Sequence, residues 1–287
     1  MHLNTALAWS SIAATVAYAS TLLPRQTTCP PVWSQITQEL SGAFEGGKGC
    51  EQIARAAIRA AFHDCFPGPG FCDGSLLTNN EIDWPVSRGM EDIVALLQDK
   101  VARYGVGNAD MIQFAAAHAI RSCTDGPQSR IKIGRTDSHT QGIQADIPQA
   151  SFTADTLLAS FAARGLDHTD LTALIGAHTC ANQFFEDESQ SGASLDTTPG
   201  TWDITFYQQV AEQSAPFTFQ SDVSISRHRD TAAIFGGFAG NVTLWEEKFV
   251  PAMEKMGMLG VTDVDMIDCT SALPHQPVVT PPEETQE

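Results

Sequence analysis

Apolar residues recur along most of this chain at a spacing of three and four, the period of a helix with one buried face. Over 91–104, Ile93, Leu96, Leu97 and Val101 form one stripe. Met111, Phe114, Ala115 and His118 form a second. Leu171, Leu174, Ile175 and His178 fall at i, i+3, i+4 and i+7, which puts a histidine on an apolar face. Asp167 is the expected N-cap of that helix, with Asp170 three residues later. Further helices are expected over 32–40, the alanine-rich 51–62, 152–163, 202–214 and 242–256, and the His178 helix is expected to run over 171–180. Only 131–134 reads as a strand. Between these elements lie a glycine-rich turn over 42–49, the breaker Pro67-Gly68-Pro69-Gly70 and a polar, turn-rich stretch over 182–200. No internal repeat is present. The pattern predicts a mostly α protein.

Composition narrows the class. With 287 residues, 43% of them hydrophobic, the chain can bury a substantial core in one large domain or two lobes. A net charge of -18 argues against nucleic acid and against anionic membranes as partners. The apolar stretch 5–17 followed by Ala17-Tyr18-Ala19 predicts a signal peptide. Leu23-Pro24-Arg25 would end a short pro-segment, so 1–25 is expected to be removed and the mature chain to start near Gln26. Beyond it no apolar run is long enough to span a bilayer. The stretch 273–287 is proline-rich and acidic and is expected to be a disordered tail. Seven cysteines leave at least one unpaired if every bridge is internal, and spacing alone leaves their connectivity open. Asn241-Val242-Thr243 is an N-glycosylation sequon, meaningful in an exported protein.

The candidate chemistry sits in two segments. In Arg59-Ala60-Ala61-Phe62-His63-Asp64-Cys65, Arg59 and His63 project from one helical face, offering a fixed cation beside a base. Taken alone, the pair is equally a surface helix ending in a charged turn. His178 on its apolar face is either a satisfied core histidine or an axial haem ligand. Of eight histidines, His2 lies in the signal and His139, His168, His228 and His275 in polar or turn-like stretches. His63, His118 and His178 remain, and spacing does not choose among them.

Arg-x-x-Phe-His-Asp at 59–64 and Leu-Ile-Gly-Ala-His-Thr at 174–179 resemble the distal and proximal histidine motifs of secreted haem peroxidases, closest to the fungal class II group. The resemblance covers roughly 29–269. It implies a two-lobed, mostly α peroxidase domain over 26–272, with a distal lobe about 26–150, a proximal lobe about 151–272 and haem b between them. It assigns His178 as the iron ligand, Asp222 as the carboxylate behind it, and Arg59, Phe62 and His63 to the distal side; His118 becomes a core histidine. It implies bridges Cys50–Cys123, Cys29–Cys269 and Cys65–Cys72, the last similar to a plant-type peroxidase bridge, and leaves Cys180 a buried thiol. It further implies two Ca²⁺ ions. One is expected at Asp64, the Phe71 carbonyl, Asp73 and Ser75, the other at Thr179, Asp196, Thr198, Thr201 and Asp203, oxygen donors of the kind hard cations take.

Departures from the family pattern refine the expectation. The asparagine that usually holds the distal histidine is replaced by Ser87, too short to be expected to reach His63, with Asn79 or Asn80 as possible substitutes. The acids that hold manganese in manganese peroxidases align with Gln52, Ala56 and Phe184, and the exposed tryptophan of lignin peroxidases aligns with Ala173. Ile147-Pro148 resembles the family's access-channel segment. The implied protein is a secreted, monomeric, generic low-potential peroxidase that reduces H₂O₂ and oxidises phenolic or other small aromatic donors by one-electron steps. Two readings from other classes stand beside it: a secreted haem-binding protein with little turnover, suggested by Ser87, and a calcium-stabilised extracellular interaction protein without haem.

Overall fold

The computed structural model describes residues 28–44 and 50–275. The expected signal and pro-segment, residues 45–49 of the glycine-rich turn and residues 276–287 of the tail lie outside the described residues. Eleven α-helices and one two-stranded ribbon make up the described fold.

The first five helices form one group. α1 (Val32–Phe44) buries Trp33, Ile36, Leu40 and Phe44. It runs a turn past its expected end because Phe44 completes the apolar stripe. α2 (Gln52–Cys65) carries the Arg59–His63 pair, and α3 (Ser75–Thr78) is a single turn. α4 (Glu91–Tyr104) has the expected bounds, with acids in its first turn and Gly105 at φ 63 closing it. α5 (Asn108–Ser122) packs on α1, α2 and α4. Ala54, Ala57 and Ala61 of α2 and Ala115, Ala116 and Ala119 of α5 are fully buried, and such small side chains let the two backbones approach closely.

The remaining six helices form a second group, in which α7 packs on α11 and α10 touches α7, α8, α9 and α11. α6 (Ala154–Ala162) starts later than expected, behind the Thr153 cap. α7 (His168–Leu174) opens on the expected Asp167–Asp170 capping box. It does not continue as an α-helix to 180: Ile175–Cys180 tightens into a 3₁₀ helix. α8 (Thr205–Glu212) is shorter than the expected 202–214, because Asp203 accepts the Thr205 N–H and caps the helix there. α9 (Gln220–Arg227) and α10 (Ala232–Ala239) were not expected. α10 carries Gly236-Gly237, a local breaker, and is held by burying Phe235 and Phe238 among Tyr207 and Phe206. α11 (Val242–Met256) has the expected bounds, and the Asn241 side chain caps it by accepting the Leu244 N–H. Trp202 stacks on Trp245 with ring centroids 5.1 Å apart at the centre of this group.

The expected strand narrows to β1 (Lys132–Ile133), paired antiparallel with β2 (Ile267–Asp268). Three disulfides link Cys29 to Cys269, Cys50 to Cys123 and Cys65 to Cys72; Cys180 is a buried free thiol. Spanning 240 residues, the first bridge ties the start of the described chain to its end, restricting the unfolded chain.

His118 is fully buried in α5, where its ring nitrogens meet Ser41, the Thr37 carbonyl and Ser122. Burial lowers its pKa to about 4. A histidine depressed in the folded state takes its proton first in the unfolded state. Stability is therefore undiminished above the ordinary value near 6.5 and lost as pH falls towards 4. The loss amounts to a few kcal/mol, at about 1.4 kcal/mol per pH unit. A His118→Gln variant is expected to flatten the pH dependence of the denaturation midpoint between pH 6.5 and 4. A slope equal to that of the unsubstituted chain would show that His118 does not carry it.

Candidate active site

A cleft between the two helix groups has His63 on one wall and His178 on the other. Its lining is largely apolar, with Phe62, Phe161, Leu171, Leu174 and Ile147-Pro148 among the side chains.

On the first wall, α2 carries both functional residues because Arg59 and His63 are one turn apart. The Arg59 Nε–H donates to His63 Nε2 at 3.2 Å, so that nitrogen is the acceptor. The guanidinium also donates to the Arg88 carbonyl at 2.9 Å and to the Val86 carbonyl. Burial, then the Arg59 charge, hold His63 well below the ordinary histidine pKa. Burial lowers Arg59 to about 10, still a cation near neutrality. Phe62 meets the His63 ring edge-on. His63 Nδ1 is buried and has no partner among the described residues; the Ser87 Oγ is likewise buried and unpartnered. Ser87 thus does not bond His63, in line with its short side chain, and Asn79 is engaged with Thr78 rather than substituting for it.

On the second wall, His178 Nδ1 lies 3.1 Å from both carboxylate oxygens of the buried Asp222. An ionised carboxylate only accepts, so Nδ1 carries the proton and Nε2 presents a lone pair. Asp222 stands in the first turn of α9, where the helix dipole favours a negative charge. Phe206 and Phe219 flank the His178 ring edge-on, each with its centroid 5.5 Å away. Two hydrogen bonds fix the end of α7: Tyr207 donates to the Thr172 carbonyl at 2.7 Å and Trp245 to the Ala173 carbonyl at 3.0 Å. Gly176 lies directly over those two rings, and a Cβ there would collide with both. This contact accompanies the 3₁₀ turn that replaces the expected helix.

Each wall has an oxygen-rich cluster behind its histidine. Asp64, next to His63, is fully buried and accepts the Gly74 and Leu76 N–H groups. Asp73 Oδ1 accepts the Ser75 N–H, and the Phe71 carbonyl accepts the Asp73 N–H at 2.7 Å. Glu81 joins this cluster, a residue the sequence reading missed. Its charge, with that of Asp73, helps raise the Asp64 pKa far above the usual range, after burial. Asp73 Oδ2, Ser75 Oγ and Glu81 Oε2 are all buried without a partner. Behind His178, Thr179 donates to Asp196 at 2.6 Å and lies 3.4 Å from Asp203. Asp196 also accepts the Thr198 N–H, while the Thr198 hydroxyl is buried and unpartnered. Thr201 closes the same turn, its N–H on the Thr198 carbonyl. Burial, with the Asp203 charge, raises Asp196 to about 6. Among the described residues no cation forms an ion pair with the buried carboxylates of either cluster, the chemistry that a bound metal ion satisfies.

Gln52, Ala56 and Phe184 carry no carboxylate, and Glu186 and Asp222 are the acids among the described residues that line the cleft. Phe184 packs against Gly89, and Ala173 is buried. Trp33, Trp202 and Trp245 are buried core residues.

A family model described as "Peroxidase" matches residues 36–241. A peroxidase from Arthromyces ramosus is 26% identical over 274 residues, covering 85% of this chain and 75% of that protein. A low-redox potential peroxidase from Taiwanofungus camphoratus is 29% identical over 266 residues, covering 85% and 78%. Manganese peroxidase 3 from Phlebia radiata is 25% identical over 308 residues, covering 92% and 85%.

Replacing Gly176 with alanine is expected to destabilise the protein by about 1–3 kcal/mol through overpacking against Tyr207 and Trp245. Urea denaturation checks this. An unchanged midpoint would mean that the His178 turn shifts freely away from those rings.

Proposed function

The chain belongs to the peroxidase family, and from that premise we propose how its residues divide the work. It is an H₂O₂-dependent peroxidase, and its family implies haem. The cleft fits that group: an apolar slot, a carboxylate-backed imidazole with a free Nε2, and a second imidazole opposite. Once bound, haem supplies an iron that exchanges electrons with peroxide and with the donor.

The chain's own residues take the remaining roles. His178 would hold the haem iron through Nε2, and Asp222 holds its Nδ1 proton and makes the ring more electron-donating. His63, kept neutral by burial and by Arg59, accepts a proton from peroxide and delivers it to the departing oxygen. Arg59 stabilises the charge that develops on that oxygen. Phe62 closes the apolar floor and helps exclude water. The observation that carries this reading is the pairing across one cleft of a carboxylate-held histidine with an Arg–His pair.

Two calcium ions complete the scaffold. Asp64, the Phe71 carbonyl, Asp73 and Ser75 hold the first, with Glu81 adding negative charge; Thr179, Asp196, Thr198, Thr201 and Asp203 hold the second. Their support is the set of buried, unpartnered oxygens beside each histidine. The two helix groups are a distal lobe within 26–150 and a proximal lobe within 151–272. The donors are phenols and similar small aromatics, supported by the lack of a carboxylate at Gln52, Ala56 and Phe184. The protein is secreted and monomeric, with Asn241 the glycosylation site. Export is supported by the sequence before Gln26 and by three disulfides, and no described helix is long and apolar enough to cross a membrane.

Purified protein is expected to show a Soret band that shifts on one equivalent of H₂O₂ and returns with guaiacol but not with Mn²⁺. In a His63→Leu variant the band is expected to persist while turnover falls at least about a hundredfold. A Soret band indifferent to peroxide in the unsubstituted chain would favour the haem-binding reading instead. Chelation of calcium is expected to lower the melting temperature by about 5–10 °C, the effect of losing ligand worth about 2–4 kcal/mol. Added Ca²⁺ should restore it in the unsubstituted chain but only partly in Asp203→Ala. No shift on chelation would remove calcium from the account.

A further inference from the structure

The cleft is lined by a cation that the proposed mechanism leaves unused. We propose that Arg55 anchors a propionate of the haem, an assignment that rests on the cofactor reading given above. Arg55 lies on α2 one turn before Arg59 and lines the cleft. Apart from the two histidines, these arginines are the basic side chains among the described lining residues. Arg59 is committed to His63 and to the Val86 and Arg88 carbonyls. Arg55 donates to the Pro199 carbonyl at 3.1 Å and to Gln52 at 2.8 Å, yet its Nε–H is buried with no partner. No carboxylate stands within ion-pair distance of it among the described residues. Partial burial costs the guanidinium solvation, which the charges of Glu51 and Asp196 offset only in part, and an anion at the cleft would return it.

Position agrees with charge. The bond to Pro199 ties Arg55, on the helix of His63, to the chain segment that follows His178. Haem b has two carboxylates on one edge of an otherwise apolar disc. A half-buried guanidinium with one N–H unspent, at the side of an apolar slot, suits such a group through a charge-assisted hydrogen bond. The flanking side chains on the same helix, Gln52 and Ala56, bring no negative charge to compete.

Haem loss to an excess of apomyoglobin tests the assignment, with the protein loaded with haem or with haem dimethyl ester, whose propionates carry no charge. Arg55→Gln is expected to lose haem about ten- to a hundredfold faster than the unsubstituted protein, the loss of one hydrogen bond to a charged group. It should lose the ester at the unsubstituted rate, and Arg55→Lys should recover part of the difference. Equal acceleration for haem and ester would make Arg55 a structural tie between α2 and Pro199 and overturn the proposal. Unchanged loss of haem from Arg55→Gln would also overturn it, leaving the cofactor reading intact. If the unsubstituted chain gave no Soret band with haem, the cofactor reading would fall and this assignment with it.

Discussion

Asp222 is almost wholly buried, and His178 is the group that makes its burial tolerable. Much of the second helix group is arranged to keep these two side chains in contact. α9 begins two residues before Asp222 and lends its N-terminal dipole to the carboxylate. Phe206 and Phe219 restrain the ring from the sides. Tyr207 and Trp245 spend their polar atoms on the last carbonyls of α7, which a helix cut short would otherwise leave unpaired. The aromatic core is therefore both the hydrophobic centre of this group and the clamp on the segment that presents His178.

The two walls are held by different means. His178 is fixed by a carboxylate, whereas His63 is fixed by its helix and by Arg59, with its second nitrogen unsupported. Behind each lies a cluster of buried oxygens joined to it by one peptide bond, Asp64 after His63 and Thr179 after His178. A cation drawn into either cluster would restrain the neighbouring histidine through the backbone. Ser87 does not reach the second nitrogen of His63, which stays unpartnered among the described residues.

Much of this was legible in the sequence where the signal is local. α4 and α11 keep their expected bounds because their periodicity is strong and their caps are conventional. The Asp167–Asp170 box was visible because capping is a matter of neighbouring residues. The two histidine motifs were visible as a resemblance, since spacing alone did not separate His63 and His178 from His118. What escaped depends on distant partners. The 3₁₀ turn at 175–180 reflects Gly176 meeting Tyr207 and Trp245, residues far along the chain. α10 is a helix despite two glycines because its phenylalanines fill the aromatic core. Glu81 reads as an ordinary turn acid until the fold brings it beside Asp64 and Asp73. Arg55 reads as one more charge on α2 until the fold places it on the cleft.

The 3₁₀ turn also acts as a spacer. Such a helix rises about 2.0 Å per residue where an α-helix rises about 1.5 Å. Over the three steps from Ile175 to His178 the difference comes to about 1.5 Å. The distance of His178 from the end of α7 is thus set by the pitch of a short backbone segment. Residues three apart eclipse in this geometry, so Ile175 lies in line beneath His178. The reach of His178 from its helix is written into backbone winding, not into the choice of any one side chain on the cleft.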